Sequence, residues 1–256
     1  MYKRERLSGR ESRAYKSFGF TPFVLRQVVN KIALSLSMKH ASLCLILTEP
    51  LVPDPMIYPA ATTWVEVRWD KIEEATSGWE SMLRSTYDKL IYTYRGEGGG
   101  EESAVASRRR QRYEEWIAEG VPFVDIDVQE PFLDDVLGTW HGSRTRLILS
   151  RHITGYRGEL DLLRTEIRRM QCYRPYLCKV AVLCTKAGEA AALLSLYQEF
   201  QDLLLFAMGN VGGFTRLAAP YLGAPYTYAA YGREGVAPGL LPSPVMQAIF
   251  DAWNEE

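Results

Sequence analysis

From residue 43 onward, eight short β-prone runs alternate with longer segments of helical spacing. The runs are "LCLILT" (43–48), "WVEVRW" (64–69), "KLIYTY" (89–94), "FVDIDV" (123–128), "RLILS" (146–150), "LCKVAV" (177–182), "LLLFAM" (203–208) and "PYTYA" (225–229). Between most of them lie amphipathic stretches such as "DKIEEATSGWESMLRSTY" (70–87), "SRRRQRYEEWIAEG" (107–120), "RGELDLLRTEIRRM" (157–170) and "KAGEAAALLSLYQEF" (186–200). Strands alternating with helices at this interval argue for βαβ units and a parallel sheet, and eight units argue for a closed (β/α)₈ TIM barrel. The fold class is therefore α/β, with a barrel over residues 43–256 and an N-terminal extension over residues 1–42. Within that extension "TPFVLRQVVNKIALSLSMK" (21–39) reads as a helix capped by Thr21 with Pro22 in its first turn. The first crossover, "EPLVPDPMIYPAATT" (49–63), holds four prolines and no helical stripe, so its helix is expected to be short, irregular or replaced.

Charge and cysteine usage narrow the function classes. A net charge of -1 gives no electrostatic case for a nucleic-acid or anionic-membrane partner, and the basic run "SRRRQR" (107–112) reads as the exposed face of a helix. No stretch approaches transmembrane length and no secretory leader is legible, which points to a cytoplasmic protein. Cys44, Cys172, Cys178 and Cys184 lack metal-ligand spacing and read as small core residues in a reducing compartment; with three histidines, a metal site is not expected.

The outer faces of barrel strands are covered by helices and must be apolar, so polar faces point inward. Glu66 and Arg68 share one face of the second run with Trp64, Asp125 and Asp127 share one face of the fourth, and Lys179 lies between Leu177 and Ala181 on the sixth. A buried amine stripped of water has a lowered pKa, and its neutral form is the nucleophile that condenses with a carbonyl. His152 is expected just past the end of the fifth strand, beside Lys179, where it could move a proton on the carbon next to that carbonyl. Arg95 follows the third strand at the start of "RGEGGG", and Glu97 there could orient the histidine. Arg216 follows the seventh strand in "MGNVGGFTR" (208–216) as an anion clamp. Three arginines and a lysine at one mouth describe an electropositive pocket for a small keto carboxylate.

Taken in order, "EVRWD" (66–70), "YTYRGEGGG" (92–100), "FVDIDV" (123–128), "SRHIT" (150–154), "CKVAV" (178–182), "AMGNVGGFTR" (207–216), "YLGAPYTYA" (221–229) and "VAPGL" (236–240) resemble type I 3-dehydroquinate dehydratase, the Schiff-base class of the shikimate pathway. The resemblance implies a lyase, usually a homodimer, with no metal or organic cofactor, that converts 3-dehydroquinate to 3-dehydroshikimate. It implies Lys179 as the Schiff-base lysine, His152 as the general acid/base and Glu97 as its partner. Substrate-contacting or site-organising roles fall to Glu66, Arg68, Arg95, Asp125, Met208, Arg216 and Tyr228. Val236 and Leu240 occupy the closing segment where the family carries a serine and a glutamine, and Asp127 stands where it more often has glutamate. The aliphatic pair leaves two alternatives beside the dehydratase: a non-catalytic or regulatory carboxylate-binding homologue, or a Schiff-base enzyme for another keto acid.

Overall fold

The computed structural model describes residues 41–72, 77–96, 103–232 and 239–254. Most of the N-terminal extension, Glu97 and Val236 lie outside the described residues, so the expectations placed on them are untouched. Eight strands are present: β1 (Leu43–Leu47), β2 (Trp64–Arg68), β3 (Leu90–Thr93), β4 (Phe123–Asp127), β5 (Arg146–Ile153), β6 (Leu177–Leu183), β7 (Leu203–Met208) and β8 (Thr227–Ala230). Among the described residues seven α-helices flank them: α1 (Ser77–Thr86), α2 (Ser103–Glu119), α3 (Leu133–Trp140), α4 (Leu160–Cys172), α5 (Ala187–Leu193), α6 (Gly213–Ala218) and α7 (Ser243–Asn254). All ladders are parallel, in the order β7-β6-β5-β4-β3-β2-β1-β8. The barrel is nearly closed: among the described residues no ladder joins β7 to β8, and the seam carries an edge-on contact between Phe206 and Tyr228, centroids 5.9 Å apart.

Period-two alternation builds the walls. On β6, Cys178, Val180 and Val182 alternate with Leu177, Lys179 and Ala181, and six of its seven residues are buried. Helices cover the outside through ordinary stripes, as in α4, where Leu163, Ile167 and Met170 recur at helical spacing and are fully buried. As its prolines imply, residues 49–63 contain turns and no helix. The basic run on α2 is only partly a solvated face: Arg109 is buried, donates to Glu130 Oε2 at 2.8 Å and lies over the Phe132 ring.

The inside is stacked in storeys. At the strands' N-terminal ends Trp64, Phe123, Tyr176 and Tyr226 meet ring to ring, with centroids 4.6–6.4 Å apart, and form an aromatic floor. Two residues further along β2, β4 and β8, the same inward faces present Glu66, Asp125 and Tyr228. Alternation alone thus lifts two carboxylates and a phenol one level above the floor.

Candidate active site

Lys179 reaches across from β6 onto that level. Its Nζ donates to Asp125 Oδ2 at 2.7 Å and Glu66 Oε2 at 3.1 Å, and lies 4.4 Å from the centre of the Tyr228 ring. Lysine and both carboxylates are buried. The buried amine expected from sequence thus lies against two carboxylates, the pairing that burial of an ion requires.

Arg95 takes the other side of Asp125. Its Nη2 donates to Asp125 Oδ1 at 2.7 Å, its Nη1 donates to Ser150 Oγ at 2.8 Å, and its backbone N–H donates to Asp70 Oδ1 at 3.2 Å. It therefore ties the end of β2 to β4 and β5. Asp125 is shared by two cations. Burial alone would raise its pKa, but Arg95 and then Lys179 outweigh burial and hold it well below the usual carboxylate range. For Glu66 too, Lys179 overcomes burial and leaves the pKa lowered.

His152 is not past the end of its strand, because β5 continues through Ile153 and pairs His152 with Ala181 of β6, two positions beyond the Ser150–Lys179 pair. The extension has a physical source: β6 runs to Leu183, so β5 finds ladder partners three residues further than its apolar run suggests. His152 is half-buried, and its Nδ1 lies 3.1 Å from Asp127 Oδ2. Burial, and next the Arg95 guanidinium, push its pKa below the ordinary histidine value, against the opposing pull of Asp127. At neutral pH the ring is uncharged and can accept a proton.

Arg68 does not pair with Glu66. It forms a two-pronged bond with Asp70, Nε to Oδ1 at 2.9 Å and Nη2 to Oδ2 at 2.7 Å. The pocket is consequently not the electropositive one inferred from its cations alone, since Glu66, Asp70, Asp125 and Asp127 balance them. Arg216 is the exception. It is 1% exposed, its Cζ lies 4.0 Å from the Phe206 ring centre, and among the described residues it has no carboxylate partner. Burial lowers its pKa to about 10, leaving it cationic at neutral pH.

The turn that carries Arg216 is tightly built. Gly209 has φ +89°, a Cβ on Gly212 would fall 2.4 Å from that of Ala207, and one on Gly239 would fall 2.5 Å from the Gly209 carbonyl oxygen. Thr215 Oγ1 accepts from Ala207 N–H at 2.9 Å and donates to the Gly212 carbonyl at 2.7 Å, fastening α6 to β7. Met208 at the end of β7 and Leu240 are half-buried and pack against the main core.

Asp70, Asp127 and Ser150 were not singled out as site residues from sequence. Asp127 shares Asp125's face of β4 and Asp70 lies just past the end of β2, so alternation and position mark both as inward or mouth-side acids. Ser150 depends on the register between β5 and β6, which no local pattern encodes.

Residues 58–255 match the family model described as "Type I 3-dehydroquinase". The chain belongs to the type I 3-dehydroquinase family. Among its relatives, the 3-dehydroquinate dehydratase of Dehalococcoides mccartyi (strain ATCC BAA-2266 / KCTC 15142 / 195) is 26% identical over 195 residues, 75% of this chain and 86% of that protein. That of Methanothermobacter thermautotrophicus is 35% identical over 133 residues, 52% of this chain and 58% of that protein. The solved 3-dehydroquinate dehydratase of Geobacillus kaustophilus HTA426 shares the fold at TM-score 0.67 and 22% identity, covering 85% of this chain and 92% of that one. Membership in the type I 3-dehydroquinase family identifies a lyase of the Schiff-base class that dehydrates 3-dehydroquinate to 3-dehydroshikimate. Among the described residues no helix is long and apolar enough to cross a membrane, and no cluster of three or more His, Cys, Asp or Glu is arranged to hold a metal ion.

Proposed function

We propose that Lys179 forms the Schiff base and His152 moves the proton in the dehydration of 3-dehydroquinate. The observation that carries this reading is the buried Lys179 amine between Asp125 and Glu66, with the His152 ring on the adjacent strand. Lys179 attacks the C3 ketone, and loss of the carbonyl oxygen as water leaves an iminium. The iminium acidifies the C2 proton, which His152 removes, and the electron pair is held as an enamine. The C1 hydroxyl then departs as water with a proton returned by His152, and hydrolysis of the conjugated imine releases 3-dehydroshikimate and the free amine. Carboxylates at 2.7 and 3.1 Å from the nitrogen hold the amine in place and are positioned to stabilise the iminium charge once it forms.

Arg216 suits the substrate carboxylate. Its buried guanidinium has no anion in the described protein, and such a charge is best satisfied by one the ligand brings. Arg95, fully engaged with Asp125 and Ser150, organises the site rather than holding substrate. The same reading includes a cytoplasmic homodimer, supported by the family resemblance and by four free thiols.

Borohydride reduction in the presence of 3-dehydroquinate, read by mass spectrometry, together with the absorbance of the enone carboxylate product, tests the assignment. Wild-type protein is expected to give both signals and Lys179→Ala neither. Imine trapping without enone formation would move the reading to a Schiff-base enzyme for another keto acid, and absence of both to a binding homologue.

A further inference from the structure

The family resemblance assigns the partner of the histidine to the glycine-rich segment after β3, at Glu97. The geometry points to a different residue: we infer that Asp127, at the end of β4, is the carboxylate that fixes the tautomer and orientation of His152. This rests on the reading of His152 as the proton carrier.

Asp127 Oδ2 lies 3.1 Å from His152 Nδ1. Its other oxygen accepts the backbone N–H of Gln129 at 3.0 Å, so the carboxylate is held from the main chain of its own turn. Arg95 Nη1 lies 3.6 Å from Oδ2 and keeps the group anionic without displacing it from the ring. The placement follows from the ladder. Asp127 pairs with Ser150 in the β4–β5 register, His152 is two residues further along β5, and both side chains face the lumen at its C-terminal end. A carboxylate is an acceptor only, so Nδ1 must carry the ring proton and Nε2 becomes the basic nitrogen. One bond thus decides which nitrogen can take a proton from substrate. Asp127 also raises the pKa of His152, partly offsetting the lowering by burial and Arg95. Among the described residues, the other charged groups acting on the ring are Lys179 on β6, which lowers it, and Asp125 on β4, which raises it.

Asp127 is a positioning residue, and its role is separable from bulk structure by two readouts. The first is the tautomer and titration of His152 by ¹⁵N NMR of histidine-labelled protein, with Glu97→Gln and Asp127→Asn compared. The second is the pH profile of kcat/KM for the same proteins and for Asp127→Glu. The expected result is an Nδ1-protonated neutral ring in wild type and in Glu97→Gln. In Asp127→Asn that tautomer is lost or mixed, and the ring's pKa falls because the carboxylate that raises it is gone. The acid limb of kcat/KM moves to lower pH with it, and kcat falls roughly tenfold to a hundredfold, a share of the 10²–10⁴ that a positioned acid–base group supplies. Asp127→Glu, which keeps the charge, restores most of kcat. An Asp127→Asn protein with an unchanged tautomer and pKa, or a Glu97→Gln protein that shows the shift instead, would overturn the inference. The NMR result does not depend on turnover, so failure of wild-type protein to form an imine would sink the proposed function while leaving the role of Asp127 separately decided.

Discussion

Asp125 is the residue on which the most charge converges, and its behaviour with pH follows from that. It is fully buried, bonded to Lys179 and Arg95, with a pKa held well below the usual range in the fold and near 3.9 in the unfolded chain. A depressed carboxylate contributes stability that is fully present above the unfolded value and is lost as pH falls toward the folded one. Below about pH 3.9 the unfolded chain takes up a proton there that the native protein refuses. Stability then declines by up to about 1.4 kcal/mol per pH unit from this residue alone. Asp125→Asn should remove that slope in acid titrations followed by urea unfolding. At neutral pH it should cost less than the about 3–5 kcal/mol of a fully orphaned buried pair, because Lys179 keeps Glu66 and Arg95 keeps Asp127. An unchanged slope would show that Asp125 is not the ion that the lumen protects. That Lys179 is buried, and that Glu66 and Asp125 face the same space, was legible in alternation. The pairings were not: Arg68 takes Asp70 and leaves Glu66 to the lysine, a choice set by distances across strands.

At the scale of elements, strand identity and order were read correctly because each run is short, apolar and flanked by helical spacing. Ends were less legible. β5 extends three residues past its apolar run into Arg151, His152 and Ile153, because β6 offers ladder partners there. The helical segment 186–200 divides into α5 and a 3-10 turn over Leu194–Gln198. The unit most dependent on close approach is β7–α6, where Gly212 lies against Ala207 with no room for a methyl group. Gly212→Ala must push α6 away from β7, an overpacking cost of about 1–3 kcal/mol, and should lower the thermal midpoint by several degrees. Since Arg216 rides on α6, KM should rise more than kcat falls. A variant with native midpoint and KM would show that the turn yields freely.

At the largest scale, the described residues form a barrel whose ladder stops short at one seam, and sequence could count eight strands without revealing where hydrogen bonding would lapse. Neither β7 nor β8 differs in composition from its neighbours in a way that announces the gap, where Phe206 and Tyr228 meet edge-on. The aromatic floor was likewise invisible as a set, because its members come from four separate runs that only closure brings together. That floor has a kinetic consequence. Among the described residues Trp64, Phe123 and Tyr226 fill the lower end, so substrate and product would both reach Lys179 from the strands' C-terminal mouth, and whatever leaves must vacate the passage its successor needs. Initial rates measured with added 3-dehydroshikimate should therefore show inhibition that excess 3-dehydroquinate relieves completely, with the limiting velocity unchanged. A vessel with a back exit would admit both molecules together and depress that velocity instead.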